Sequence, residues 1–253
     1  MFTNSQNIQA LSFFLLALLF EVLERIRPAR KLDRWKDLKT DVYSFAFAIL
    51  LNRVCGYAIN GFFATYIPSW MLLYFKTILI LPGYLKIIFA LFIVDFCIYW
   101  IHRSQHHFDL LWKTHKWHHS VEQLYWFSGF RTSFFHSLLY NIPQAAIPMF
   151  VFQLSPLQAG IGYSIGLLIQ FWEHTNINVN IGMLKWLIIT PSYHRIHHSA
   201  SELCRKNLGT TFSLWDRMFG TFIDPETVPE NLPLGLGQPQ GNKKEMAKMM
   251  LGI

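Results

Sequence analysis

The strongest constraint on the fold of this chain is a series of apolar runs too long for a soluble core. They lie at roughly Ile8 to Leu23, Val42 to Ile67, Tyr84 to Ile101, Phe134 to Leu154 and Leu157 to Trp172. Each approaches or exceeds the ~20 residues that cross a hydrocarbon layer of ~30 Å. Lipid offers no partner to a backbone N–H or C=O, so runs of this composition are expected to satisfy their own hydrogen bonds as helices. A hydrophobic content of 52%, 17% aromatics and a mean hydropathy of +0.25 are likewise too apolar for an ordinary soluble protein. The expected fold is all-α: a multi-span membrane helical bundle of about four or five segments, some of them hairpin-like or re-entrant. One domain, 1–253, is expected. Within it 1–94 form the anchor and first spans, 95–222 a histidine-rich region, and 223–253 a Pro/Gly-rich tail.

Charge sets the expected orientation. Arg25, Arg27, Arg30, Lys31, Arg34, Lys36 and Lys39 follow the first run, and such a block stays on the cytoplasmic side, which puts the amino terminus outside. The first run has no basic residues before it and no small-residue cleavage site after it, so it reads as an uncleaved span. MLLYFKTILILP, residues 71–82, is too short to cross and is expected to lie along or dip into the outer interface. Pro143 and Pro148 predict kinks in the fourth run, and Ser155-Pro156 predicts a tight turn into the fifth. The net charge of +7 does not point to nucleic acid, because the basic residues crowd beside apolar runs, as contacts to lipid head groups would require. Cys55, Cys97 and Cys204 are widely spaced and form no CxxC pair, so neither a disulfide framework nor a thiolate zinc site is expected.

Between the apolar runs stand histidines at helical spacing. His102 and His106 are four apart; His115, His118 and His119 fall at offsets 0, 3 and 4, and His194, His197 and His198 repeat those offsets. Residues so spaced share one face of a helix. A lone HxxxH means little, but two HxxHH boxes in a chain with 11 histidines are not a chance pattern. Counting spans from the basic block puts both boxes, and His174 just past the fifth run, on one cytoplasmic face.

Nine imidazoles are too many for one zinc ion, which takes about four ligands. Two ions sharing them would have four or five each, leaving positions open. Iron suits that arrangement and oxygen chemistry best, although imidazole also suits zinc, copper and nickel. The chain lacks the paired Glu-x-x-His motifs of soluble di-iron bundles. Haem ligation across the spans is also disfavoured, because these histidines collect at span ends.

DFCIYWIHRSQH, HKWHHS, FWEHT, TPSYHRIHHS and LWDRMFGT together resemble the integral-membrane fatty acid hydroxylase and sterol desaturase superfamily of di-iron enzymes. The wording of FWEHT and TPSYHRIHH is nearest the branch containing alkylglycerol monooxygenase and bacterial sterol desaturase-like proteins. The resemblance covers roughly Asp95 to Phe222. It implies a cap on the cytoplasmic side holding two Fe ions, with His102, His106, His115, His118, His119, His174, His194, His197 and His198 as metal ligands and catalytic residues. It also implies O2 as co-substrate and a membrane lipid substrate: a sterol, fatty acyl chain, ether lipid or carotenoid. Electrons would come from an external donor such as a ferredoxin, cytochrome b5 or rubredoxin-like protein with its reductase. The location implied is the bacterial inner membrane, or the endoplasmic reticulum in a eukaryote.

The chain departs from its relatives in places. Ser133 stands where many have a further histidine, Asn178 where some have a tenth ligand, and Leu208 where an aromatic is usual. His136, three residues after Ser133, is a replacement ligand or, as favoured, a helix-end residue. His107 and Arg131 are candidates for positions behind the ligands. Asp95, an ionisable group at membrane depth, is expected to be functional, either orienting a histidine of another box or pairing with Arg53. The function expected is oxygen-dependent hydroxylation or desaturation of a lipid. The alternatives are a membrane metal transporter, which would favour ligands at mid-membrane, or a silent relative that retains the metal.

Overall fold

The computed structural model describes residues 4–68, 70, 75, 80–237 and 241–253, and among these the chain is helical with no strand, only isolated bridges such as Ile188 with Phe212. Three long helices, α1 (Asn4–Ile26), α2 (Leu38–Tyr66) and α3 (Gly83–His107), have the length and composition to cross a membrane. The expected interfacial segment at 71–82 lies largely outside the described residues. Then come α4 (Asp109–Lys116), α5 (Phe134–Ala146) and α6 (Pro156–His174). The fourth and fifth apolar runs thus form two helices joined by a bend, and each packs against α3. Pro143 lies within α5, a π turn at Ile147–Val151 begins around Pro148, and Ser155 caps α6. Two short helices, α7 (Pro191–His197) and α8 (Leu214–Phe219), and a terminal α9 (Lys243–Leu251) complete the fold.

Packing is organised around α3. Its Ala90, Val94 and Ile98 meet Ile147 and Phe152 beyond α5, and its Tyr99 meets Leu208 and Trp215. α1 lies along α6, with Phe20 against Leu167 and Phe171. The outer surface is apolar. Phe14 on α1 is 70% exposed and Tyr57 on α2 80%, with Ile88 and Phe89 exposed on α3. In water such a surface would be an unresolved liability, whereas lipid covers it at no cost. At the far end of α3 the pattern inverts: histidines, aspartates and glutamates are buried and loops close over them.

The basic block is partly built into that closure. Arg34 donates to buried Glu24 at 2.6 Å and to Glu21 at 2.9 Å, and Arg30 donates to the Leu232 carbonyl at 2.6 Å. The three cysteines are free.

Candidate metal centre

All nine sequence-selected histidines gather at the end of α3, in two groups. His102, His106, His115, His119 and His197 form one; His118, His174, His194 and His198 form the other; within each, the candidate ligand atoms lie within 4.8 Å of one another. All nine side chains are buried. α3 ends here and supplies His102 and His106, α4 supplies His115, the 3-10 turn at its end His118 and His119, α6 His174, α7 His194 and His197, and the residue capping α7 is His198. Neighbours in sequence part company: His118 and His119 face different groups, as do His197 and His198. Successive residues on a helix point about 100° apart, so one HxxHH box can serve two points at once.

The hydrogen bonds show which nitrogens are free. The Nδ1–H of His102 donates to the Leu208 carbonyl at 2.7 Å, that of His118 to the Arg131 carbonyl at 3.0 Å, that of His174 to the Gln170 carbonyl at 2.9 Å and that of His197 to the Lys206 carbonyl at 3.1 Å. A carbonyl only accepts, so in each neutral ring Nε2 is a bare lone pair. Burial, with the Arg131 charge nearby, brings the His118 pKa down to about 4 although its bond to the Arg131 carbonyl raises it. Burial also lowers His115, His119, His194, His197 and His198 well below the ordinary value. These rings are neutral at physiological pH, the form that ligates a metal.

Bare nitrogens nevertheless face one another. His118 Nε2 is 3.3 Å from His174 Nε2, and His102 Nε2 is 2.9 Å from His115 Nε2, whose Nδ1 meets His136. Two lone pairs at that distance repel unless a cation lies between them. Metal–nitrogen bonds of about 2.0–2.1 Å, opened to the angles of tetrahedral or octahedral sites, separate their nitrogens by about 2.9–3.4 Å. Nε2 of His106, His119 and His197 has no hydrogen-bond partner. The donor set therefore fits a pair of metal ions, five imidazoles toward one and four toward the other.

Backing groups hold the rings. His136 is buried, its Nδ1 3.2 Å from Gln105 Nε2 and 3.0 Å from His115 Nδ1. With Gln105 donating, His136 Nδ1 is an acceptor for the His115 N–H, so His136, in the first turn of α5 as favoured, also sits behind a candidate ligand. Arg131 is fully buried, donates to Asp41 at 2.6 Å and lends its carbonyl to His118. Glu173 lies 3.5 Å from His174 Nδ1 and 3.9 Å from His194 Nδ1.

Three expectations are corrected. Asp95 neither orients a histidine nor pairs with Arg53, which is exposed. Its carboxylate accepts from Thr210 Oγ1 at 2.8 Å, from the backbone N–H of Thr211 and Phe212, and from Trp215 Nε1 at 2.7 Å, fastening the 210–215 segment to α3. His107 is exposed and lies against Phe108, away from both groups. Asn178 is exposed and donates to Glu230 at 3.0 Å.

Sequence reasoning gave no role to two buried carboxylates. Asp216 accepts from the Leu208 N–H at 2.8 Å, the Gly209 N–H at 2.6 Å and the Tyr193 hydroxyl, and so holds the very carbonyl that fixes His102. Glu24 accepts from the backbone of Trp126 and Asn176 and from Thr175, tying α1 to the segments beside His174. The acid that follows Trp215 in LWDR is a signal that could have marked Asp216; Glu24, between Leu23 and Arg25, carries none. Asn207 adopts a left-handed φ of 55°, and its amide bridges the Tyr193 carbonyl and the Ile223 backbone.

The profile of the family described as Fatty acid hydroxylase matches residues 87–221. The chain belongs to the fatty acid hydroxylase family. It is similar to the alkylglycerol monooxygenase of Xenopus tropicalis, 38% identical over 150 residues that make up 58% of this chain and 32% of that protein. The ornithine lipid hydroxylase OlsE of Rhizobium tropici is 30% identical over 157 residues, 61% of this chain and 46% of that one. Human lathosterol oxidase is 31% identical over 158 residues, 59% of this chain and 48% of that one. The matched part thus spans about a third to a half of these relatives' length. No solved structure matches.

Proposed function

We propose that this chain is a membrane-bound di-iron oxygenase that uses O2 and two electrons from an external carrier to hydroxylate or desaturate a C–H bond of a lipid. The observation that carries this reading is the convergence of bared imidazole nitrogens into a group of five and a group of four. Iron is the metal best suited to a site rich in imidazole with positions left open. His102, His106, His115, His119 and His197 would hold one ion; His118, His174, His194 and His198 would hold the other. Bound there, the pair would supply oxygen activation.

The protein's own part is orientation and exclusion. Backbone carbonyls of Leu208, Gln170, Arg131 and Lys206 keep the Nδ1 protons pointing outward, so the other nitrogens face inward without a proton to lose. Burial of the rings, seven of them at 1% exposure or less, would keep bulk water from the reacting carbon.

A lipid substrate is carried over from relatives named for an alkylglycerol, an ornithine lipid and lathosterol. The apolar outer surface supports it, since a lipid can approach from within the bilayer. The basic residues beside the cap support a cytoplasmic site in a single multi-span domain. Ferredoxin, cytochrome b5 and rubredoxin-like proteins, with their reductases, are the classes of donor proposed.

The test is metal content and lipid turnover together. Purified protein should carry two iron equivalents. Cells expressing the native chain with a competent donor should accumulate an oxidised lipid absent from cells expressing His118→Ala; the same lipid in both would overturn the catalytic assignment.

A further inference from the structure

The turn that precedes the last histidine box has its polarity reversed. Over Gly182–Trp186, a 3-10 turn, and the residue after it, Met183 is 88% exposed, Leu184 57%, Trp186 58% and Leu187 45%; Met218 on neighbouring α8 is 60% exposed. Five large apolar side chains in one patch are unusual for a surface loop facing water. Its polar groups are paired: Lys185 reaches Glu226 at 2.5 Å, and the Arg217 guanidinium is stacked between Trp186 and Phe222.

The patch is also fixed at a definite depth. The Ser213 N–H donates to the Leu187 carbonyl at 2.9 Å and the Ile189 N–H to the Thr211 carbonyl at 3.1 Å. Thr211 and Phe212 donate to Asp95, and the Phe212 ring packs on Phe92, 5.5 Å between centroids. Phe92 and Asp95 lie about 10–15 Å before His102 along α3. Twenty residues from Gly83, the length that crosses a hydrocarbon layer of about 30 Å, end at His102. The strap that carries the turn therefore packs beside the middle of a candidate span, on the helix whose Ile88 and Phe89 are exposed.

We propose that the Gly182–Trp186 turn and the adjoining face of α8 enter the lipid layer, continuing the membrane-facing surface of α3 past the last helix that crosses. Lys185 and Arg217 remain toward the head groups, held by Glu226 and by the rings of Trp186 and Phe222. The inserted turn is tied to the 208–213 strap, whose Leu208 carbonyl holds His102. Lipid contact is thereby built into the support of the histidine cluster. The inference rests on α1 to α3 crossing the bilayer, and the control below tests that separately.

The experiment uses the full chain with Cys97 and Cys204 changed to alanine, Cys55 being buried. Single cysteines are placed by Met183→Cys, Met218→Cys, Phe14→Cys and Glu202→Cys and labelled with an environment-sensitive fluorophore. The proteins are reconstituted in vesicles of phosphatidylcholine and phosphatidylglycerol. A lipid bearing a nitroxide on its acyl chain should quench the labels at 14, 183 and 218 several-fold more than the label at 202, and aqueous iodide should show the reverse order. Labels at 183 and 218 quenched by iodide as readily as at 202, with 14 still quenched by lipid, would overturn the proposal and leave the spans standing. Iodide quenching at 14 as well would overturn the membrane reading itself.

Discussion

The ring of His174 fills the place where a side chain on residue 129 would stand. A Cβ added to Gly129 would lie 2.5 Å from His174 Cγ and 2.7 Å from its Nδ1. The two are held together through α6, whose Gln170 donates to the Gly129 carbonyl at 2.8 Å while its own carbonyl receives the His174 proton. Gly129→Ala must therefore displace the ring or the 128–130 turn. Overpacking of this kind costs about 1–3 kcal/mol. The expected outcome is a lower unfolding temperature in detergent and loss of metal from the His118, His174, His194 and His198 group first.

Adjacent histidines should have separable effects. His118→Ala removes one of four candidate ligands from one group, and His119→Ala one of five from the other. Each variant is expected to lose metal chiefly from its own group, and the double variant from both. Elemental analysis of the purified proteins measures this. Full retention of two ions by both single variants would contradict the grouping.

His136 gives a test of ligand support that leaves the nine histidines untouched. His136→Phe keeps an aromatic ring near Tyr140, on which His136 stacks at 4.0 Å, but leaves the His115 Nδ1–H without its acceptor. Removing a partner behind a ligand typically costs 10–100-fold in metal affinity. Competition with a chelator should show a loss of about that size, and His136→Asn, which restores an acceptor, should recover part of it.

Asp95 and Arg53 should behave as strangers to each other. Arg53→Leu alters an exposed side chain and is expected to change stability by less than about 0.5 kcal/mol. Asp95→Ala strands the Thr211 N–H, the Phe212 N–H and the Trp215 indole, and should cost about 3 kcal/mol. Thermal unfolding of both single variants and the double variant should give additive effects, whereas coupling would restore the pairing that the structure excludes.

The histidines were legible because helix periodicity places offsets 0, 3 and 4 on one face, and the three long apolar helices were legible because apolar runs have few other uses. Counting spans also put every box at one end, where all nine are found. The division of the boxes between two groups was not legible. His118 and His119 are identical neighbours, and only the angle of the turn that carries them decides which group each meets. The partners of Asp95 lie 115 to 120 residues downstream, and nothing local announces them. His107 and Asn178 show the converse: nearness in sequence to His106 and His174 does not bring a side chain inward when the helix face or the following loop points it to solvent.

The interleaving of the boxes has a mechanical consequence. Since the turn at His118-His119 and the turn at His197-His198 each reach into both groups, neither turn can move without disturbing both groups. A shift of either turn by one residue would exchange its contributions and spoil both together. The pair is thus wired as a single catch, closed by two keys that each carry teeth for both locks.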